Sequence, residues 1–376
     1  MPNMHRLTPA TGAPGAQNAP HPVATQIEAL VRATHEAGRF DGTVLVSDGG
    51  RVLYRGGVGL ANVEWGVPNA PDTRFRVGSV TKQFTAALVL QFAEEDRVDL
   101  QAPVSAYVPG VPVDRRITTH HLLTHTSGLP NYTALPDFDE LQRRPHTPAE
   151  LMALVEGMPL DFEPGTAWAY TNSGYVLLGM LIEAVSGEPY AATLRTRLLD
   201  PLGLEASTCD DGTTAYPRAA SGYVRGVGAL HRAAHIDPSV SYAAGMLLSS
   251  VDDLRAWSDA LYGGRVFRSP ETLALMHAAH AEVPGTDGQA AYGYGVVVGT
   301  VPVGGCAVPV AQHDGGINGF MTGLWRLTDR DGVIAMCSNT QDGSEDLAMG
   351  ILALLHRESV EIPPAPASSP PTSASA

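Results

Sequence analysis

Strand-like alternation marks both ends of the chain, and helical spacing marks its middle. Phe40 to Ser47 and Arg51 to Val58 read as two strands joined by Asp48-Gly49-Gly50, a hairpin signal. A helix is predicted before them, over Ile27 to Ala37, and Thr73 to Val77 is a short extended approach to Gly78. From Val80 to Glu95 the spacing is helical. Its AALVLQF run is apolar on most sides, which predicts a buried helix. Further helices are expected over Pro148 to Gly157, Ser173 to Ser186, Ser250 to Tyr262 and Ser269 to His280. Strands return at Tyr292 to Gly299, Val308 to His313, Phe320 to Leu327 and Gly332 to Ser338, with a turn at Asp329 to Gly332. An apolar helix over Glu345 to Arg357 closes the pattern.

The economical architecture is α+β, an α/β sandwich. One antiparallel sheet is built from both chain ends and flanked by helices, with a mostly helical region inserted. The expected parts are residues 27–78 with 285–361 for the sheet and 79–284 for the helical insertion. Residues 1–26 carry Pro, Ala, Gly and Thr without an apolar stretch, and read as a flexible lead rather than an export signal. Residues 362–376 read as a disordered tail. On this reading the protein is cytoplasmic.

Composition narrows the function. A net charge of -15 leaves no basic face for nucleic acid. No apolar run approaches the roughly 20 residues of a membrane-spanning helix. The three cysteines, Cys209, Cys306 and Cys337, are far apart and form neither a metal pair nor a disulfide framework; each is expected to be a small core residue. Of the 24 basic residues, Lys82 is the single lysine. An amine can lose its proton near neutrality, which a guanidinium cannot do.

Common catalytic motifs such as G-x-S-x-G, a Walker A loop, H-E-x-x-H and C-x-x-C do not occur. Three other patterns carry chemistry. Ser79 and Lys82 are three apart, so a helix starting near Ser79 places the amine beside the hydroxyl, at an end whose free N–H groups favour an alkoxide. A neutral lysine could then activate the serine. Tyr170 and Asn172 are two apart and share a side if that segment is extended. Tyr170 could serve as phenolate or proton shuttle, and Asn172 could bond both substrate and lysine. His313-Asp314-Gly315-Gly316 ends a predicted strand. His313 could face the serine, Gly315 could let substrate backbone lie along the strand, and the Gly316 N–H could join that of Ser79 in an oxyanion hole. Each pattern alone also has a plain structural explanation: a helix cap, a polar turn, a glycine-rich hairpin.

Together, in the order Ser79/Lys82, Tyr170/Asn172 and His313/Gly315, they resemble the penicillin-recognising serine hydrolases. The nearest branch is the class C β-lactamase-like group with D-alanyl-D-alanine carboxypeptidases and family VIII esterases. FRVGSVTKQFTA, HLLTHTSGLP, PGTAWAYTNSGY and AAGMLLSSVDDL are similar to that group too. The resemblance implies that Ser79 is acylated and that Lys82 and Tyr170 share its proton. It implies that Asn172 and His313 meet substrate, and that Ser79 and Gly316 hold the oxyanion. It implies a serine hydrolase acting on an amide or ester, without cofactor or metal. D-amino-acid peptides come first as substrates, then small esters, then β-lactams. Acyl transfer and a penicillin-binding sensor with little turnover stay open as alternatives. His313 replaces the lysine of β-lactamases, so its charge at neutral pH is expected to be partial. His121 and His125, four apart, could share a helix face, but no third ligand accompanies them. His120, His231 and His235 are expected at the surface, and Arg74 and Arg76 on a solvated strand face. The oligomeric state is not legible.

Overall fold

The structure is a computed structural model that describes residues 22–342 and 344–356. Helix α1 (Pro22–Glu36) precedes the hairpin of β1 (Gly42–Asp48) and β2 (Arg51–Val58). The central helix α2 (Thr81–Glu94) follows a single 3₁₀ turn at Gly78–Val80. The middle of the chain supplies α3 (Asn172–Ser186), α4 (Pro238–Gly245) and α5 (Val251–Tyr262), with shorter helices between them. The last third runs through β3 (Ala281–Glu282), β4 (Ala290–Tyr292), β5 (Val297–Val303), β6 (Cys306–Ile317), β7 (Phe320–Leu327), β8 (Gly332–Ser338) and α6 (Ser344–Leu355).

These strands form one eight-stranded sheet in the order β3-β4-β5-β6-β7-β8-β1-β2, antiparallel throughout. The two chain ends meet where β1 pairs with β8, from Gly42 opposite Ser338 to Ser47 opposite Val333. The expected sheet from both ends is therefore what the chain builds.

Alternation then sorts the side chains to two faces. Val44, Val46, Trp325 and Ile334 pack with Ile27 of α1 and Ile351 of α6. Leu45, Leu324 and Ala335 face the helical region with Phe84 of α2 and Trp257 of α5. Phe84 and Trp257 stack with centroids 4.0 Å apart, and the Trp257 Nε1–H donates to Gln83 Oε1. Thr81 through Leu90 are all buried, because α2 lies between the sheet and the helical part. Each large apolar side chain so enclosed contributes about 1.5–3 kcal/mol. Among the described residues, no helix is long and apolar enough to cross a membrane.

Several expectations need correction. Helix α1 begins at Pro22, five residues inside the expected lead; residues 1–21 and the expected tail 362–376 lie outside the described residues. The helix expected over Ser269 to His280 ends at Met276, and β6 runs on to Ile317, beyond the strand end expected at His313. The glycines after His313 are thus in the strand, and the turn is Asn318-Gly319. Cys209 and Cys337 are buried as expected, but Cys306 is exposed at the start of β6. Arg76 is no solvated side chain: it pairs with Asp210 at 2.8 Å and donates to the Ile236 carbonyl. His120 is half-buried and bonded to the Tyr294 hydroxyl at 2.9 Å. Burial pushes its pKa down to about 4.

Candidate active site

The 3₁₀ turn at Gly78–Val80 brings Ser79 to the head of α2. Gly78 has φ 50°, a left-handed conformation that glycine adopts without strain. Strand β5 pairs with β6 only as far as Gln312, so the far end of β6 has an edge free to meet this turn. The approach is close: a Cβ on Gly315 would lie 1.9 Å from the Val77 carbonyl oxygen and 2.9 Å from the Ser79 nitrogen. Glycine at 315 is therefore required by packing of the strand on the nucleophile turn, rather than by a substrate backbone.

Lys82, the second residue of α2 and one turn after Ser79, is completely buried. Its Nζ is 3.0 Å from Ser79 Oγ, 2.8 Å from Asn172 Oδ1 and 2.9 Å from the Ala244 carbonyl oxygen. Desolvation holds its pKa well below the ordinary lysine value, and no carboxylate pairs with it among the described residues. A neutral amine has two N–H donors and one lone pair. Asn172 Oδ1 and the Ala244 oxygen can only accept, so they take the two N–H groups. In the uncharged form the lone pair is then the part of the amine left for the Ser79 hydroxyl.

Tyr170 approaches Ser79 from the other side, its hydroxyl donating to Oγ at 2.7 Å. Burial raises its pKa above the ordinary phenol value, and the bond to Ser79 only partly offsets this. The hydroxyl therefore keeps its proton at neutral pH, and a resting phenolate is disfavoured. Thr171, at φ −139° and ψ 130°, is extended, while Asn172 already begins α3. This local geometry turns both Tyr170 and Asn172 toward the serine.

His313 is 5% exposed, and both ring nitrogens are engaged. Nδ1–H donates to the Asp314 carbonyl at 2.6 Å, and Nε2 accepts from the Tyr292 hydroxyl at 2.9 Å. Burial and the nearby Lys82 push its pKa down to about 3, so the partial charge expected at neutral pH does not form. Gly316 lies on the wall of the cavity beside Ser79.

Other participants carried weaker signals. Asn131 Oδ1 accepts from the Asn172 and Thr133 N–H groups, and Asn172 Nδ2 donates to Thr133 Oγ1 at 3.1 Å. These contacts fix the Asn172 amide with its oxygen on Lys82. Asn131 and Thr133 directly follow HLLTHTSGLP, and their polar pairing was the available clue. Ala244 contributes only a carbonyl, which residue type cannot disclose. Tyr242, at φ 38° and ψ −134°, breaks α4, and the carbonyls of Ala243 and Ala244 turn to Thr85 and Lys82. His121 and His125 do not share a helix face. Their helix ends at Leu123, His121 belongs to its capping box with Thr118, and His125 has φ 60°.

A beta-lactamase family profile matches residues 27–358. Penicillin-binding protein 4* of Bacillus subtilis is 29% identical, over 85% of this chain and 72% of its own length. Teichoic acid D-alanine hydrolase of Staphylococcus aureus is 27% identical, over 63% of this chain; the chain spans 58% of that relative. Among solved structures, a D-stereospecific amidohydrolase from Streptomyces sp. superposes with TM-score 0.74 and 30% identity, covering 87% of this chain and 96% of that one. The chain belongs to the beta-lactamase family. It is a serine hydrolase of that family, of the kind that works through an acyl-enzyme.

Proposed function

We propose that Ser79 is the acylated nucleophile and uncharged Lys82 its base, in hydrolysis of an amide or ester whose acyl part derives from a D-amino acid. One observation carries the reading: buried Lys82 Nζ lies 3.0 Å from Ser79 Oγ, and its other two partners, Asn172 Oδ1 and the Ala244 oxygen, can only accept N–H. As Oγ bonds the substrate carbonyl carbon, its proton passes to Lys82 Nζ, and the carbonyl electrons move onto oxygen. The N–H groups of Ser79 and Gly316 are assigned to that oxyanion. The Lys82 ammonium so formed faces the Tyr170 and Tyr175 rings, with centroids at 4.8 Å and 5.3 Å. The oxyanion electrons then return to re-form the carbonyl, the bond from its carbon to the leaving group breaks, and the departing atom takes the Tyr170 proton, which the Lys82 ammonium replaces. Water then cleaves the ester bond to Ser79 along the reverse proton path. Asn172 holds Lys82 and offers its amide to substrate, while neutral His313 supports the strand from behind.

The names of the relatives, a D-alanine hydrolase and a D-stereospecific amidohydrolase, support the D-configured acyl part. Neutral His313 supplies no cation for a carboxylate, which argues against efficient β-lactam turnover. Three unpaired thiols, one of them exposed, suit a reducing compartment and support a cytoplasmic location; recovery from a periplasmic or medium fraction would reverse it.

The test is labelling with a fluorophosphonate, followed by mapping of the adduct. The label is expected on Ser79, with Ser79→Ala inactive. Lys82→Arg is expected to fold and lose about a hundredfold or more in kcat, since a guanidinium keeps its proton. An adduct elsewhere, or an active Ser79→Ala protein, would overturn the assignment.

A further inference from the structure

Beside Ser79 lies a cavity of about 190 Å³. Tyr132, Phe138, Ile236, Val240 and Ile317 form its apolar wall, and its polar side chains, Thr133 and Asn318 among them, are uncharged hydroxyls and amides. No Asp, Glu, Lys, Arg or His lines it among the described residues. The Tyr132 hydroxyl is already spent on the Val240 carbonyl. Lys82, uncharged on the proposed reading, is enclosed behind Ser79 with all its contacts committed. Charged side chains line the adjoining hollow, which shares Ile236 and Asn318 with this cavity. There Arg76 is held by Asp210, and Arg232 by Glu64.

We infer that the acyl group taken into this cavity is apolar and uncharged, and that an amino group on it must be capped as an amide. This deepens the proposed function and rests on it. A free ammonium or carboxylate would lose its water without gaining a counter-charge, which costs several kcal/mol or forces the group to neutralise. A neutral amide in the same place needs only hydrogen bonds: the Asn318 amide hydrogens are held by Gln142 and the Ala234 carbonyl and the Thr133 hydroxyl hydrogen by Asn131, so the side-chain oxygens of both are left to accept its N–H. Within the D-amino-acid substrates, the wall thus selects N-acylated over free amines, and it excludes acyl chains that end in a carboxylate.

The experiment compares matched pairs on the full chain. One pair is the p-nitroanilides of N-acetyl-D-phenylalanine and D-phenylalanine. The other is p-nitrophenyl butanoate against p-nitrophenyl hemisuccinate. The neutral member of each pair is expected to show kcat/KM about tenfold or more above its charged partner. Ile317→Asp and Phe138→Asp, both at half-buried wall positions, are expected to narrow the gap for the cationic anilide. Charged substrates equalling the neutral ones, with Ser79 still the labelled residue, would overturn this inference and leave the proposed function standing. No turnover of any substrate together with no label on Ser79 would overturn both.

Discussion

His125 holds Tyr170 through the residues on either side of it. The Ala169 N–H donates to the His125 carbonyl at 3.0 Å, and the Thr171 N–H donates to His125 Nδ1 at 3.3 Å. The two rings lie 4.3 Å apart between centroids. His125 is completely buried, and burial with the nearby Lys82 holds its pKa well below the ordinary value. Nδ1 must therefore be the accepting nitrogen. A clamp of this kind sets where the Tyr170 hydroxyl sits. His125→Ala is expected to lower kcat about tenfold to a hundredfold with little change in KM, because misplacing a reacting group by about 1 Å has that effect. Steady-state kinetics check it; a rise in KM alone would assign His125 to binding.

Buried Lys82 makes stability depend on pH in a calculable direction. Its pKa is lowered in the folded chain and ordinary, near 10.4, in the unfolded one. Between those values the unfolded state binds the extra proton, so stability rises with pH. The stability difference between the natural protein and Lys82→Met should therefore move in favour of the natural protein as pH rises from the folded value toward about 10, by about 1 kcal/mol per pH unit. Urea unfolding at each pH measures it. A constant difference would mean that the folded amine stays protonated.

His313 offers a complementary control. With its pKa down to about 3, it is neutral throughout the working range. His313→Gln is expected to leave the acid limb of the kcat/KM profile in place between about pH 5 and 8, whatever it does to kcat. A displaced limb would show that His313 titrates there.

Gly315→Ala tests the packing of β6 on the nucleophile turn. The new Cβ would sit 1.9 Å from a backbone oxygen, and no side-chain rotation relieves that. Overpacking of this kind costs about 1–3 kcal/mol. Both a lower Tm and a reduced kcat are expected, and an unchanged Tm would contradict the geometry.

Much of this was legible in the residues. The strand pattern located β1, β2, β7 and β8 closely, since each pair is joined by a turn signal, Asp48-Gly49-Gly50 in one and Asp329 to Gly332 in the other. Lys82 stood out because it is unique, and the spacing to Ser79 survives although the turn there is 3₁₀ rather than α. Elsewhere local rules failed for identifiable reasons. Glycine after His313 suggested a turn, yet Gly315 belongs to a strand whose edge presses on Val77. The spacing of His121 and His125 suggested a shared helix face, but the helix stops at Leu123. The charge of His313 could not be read at all, because it depends on burial beside Tyr292 and Lys82, which come from distant parts of the chain.

The uncharged state of Lys82 is the central claim, and the chain is suited to a direct test because it contains one lysine. Protein grown with ¹³Cε-lysine will give a single side-chain resonance. The account predicts that this signal shows the neutral amine at pH 7 and titrates well below the ordinary lysine value. An ammonium signal persisting to about pH 10, as in an unperturbed lysine, would contradict it.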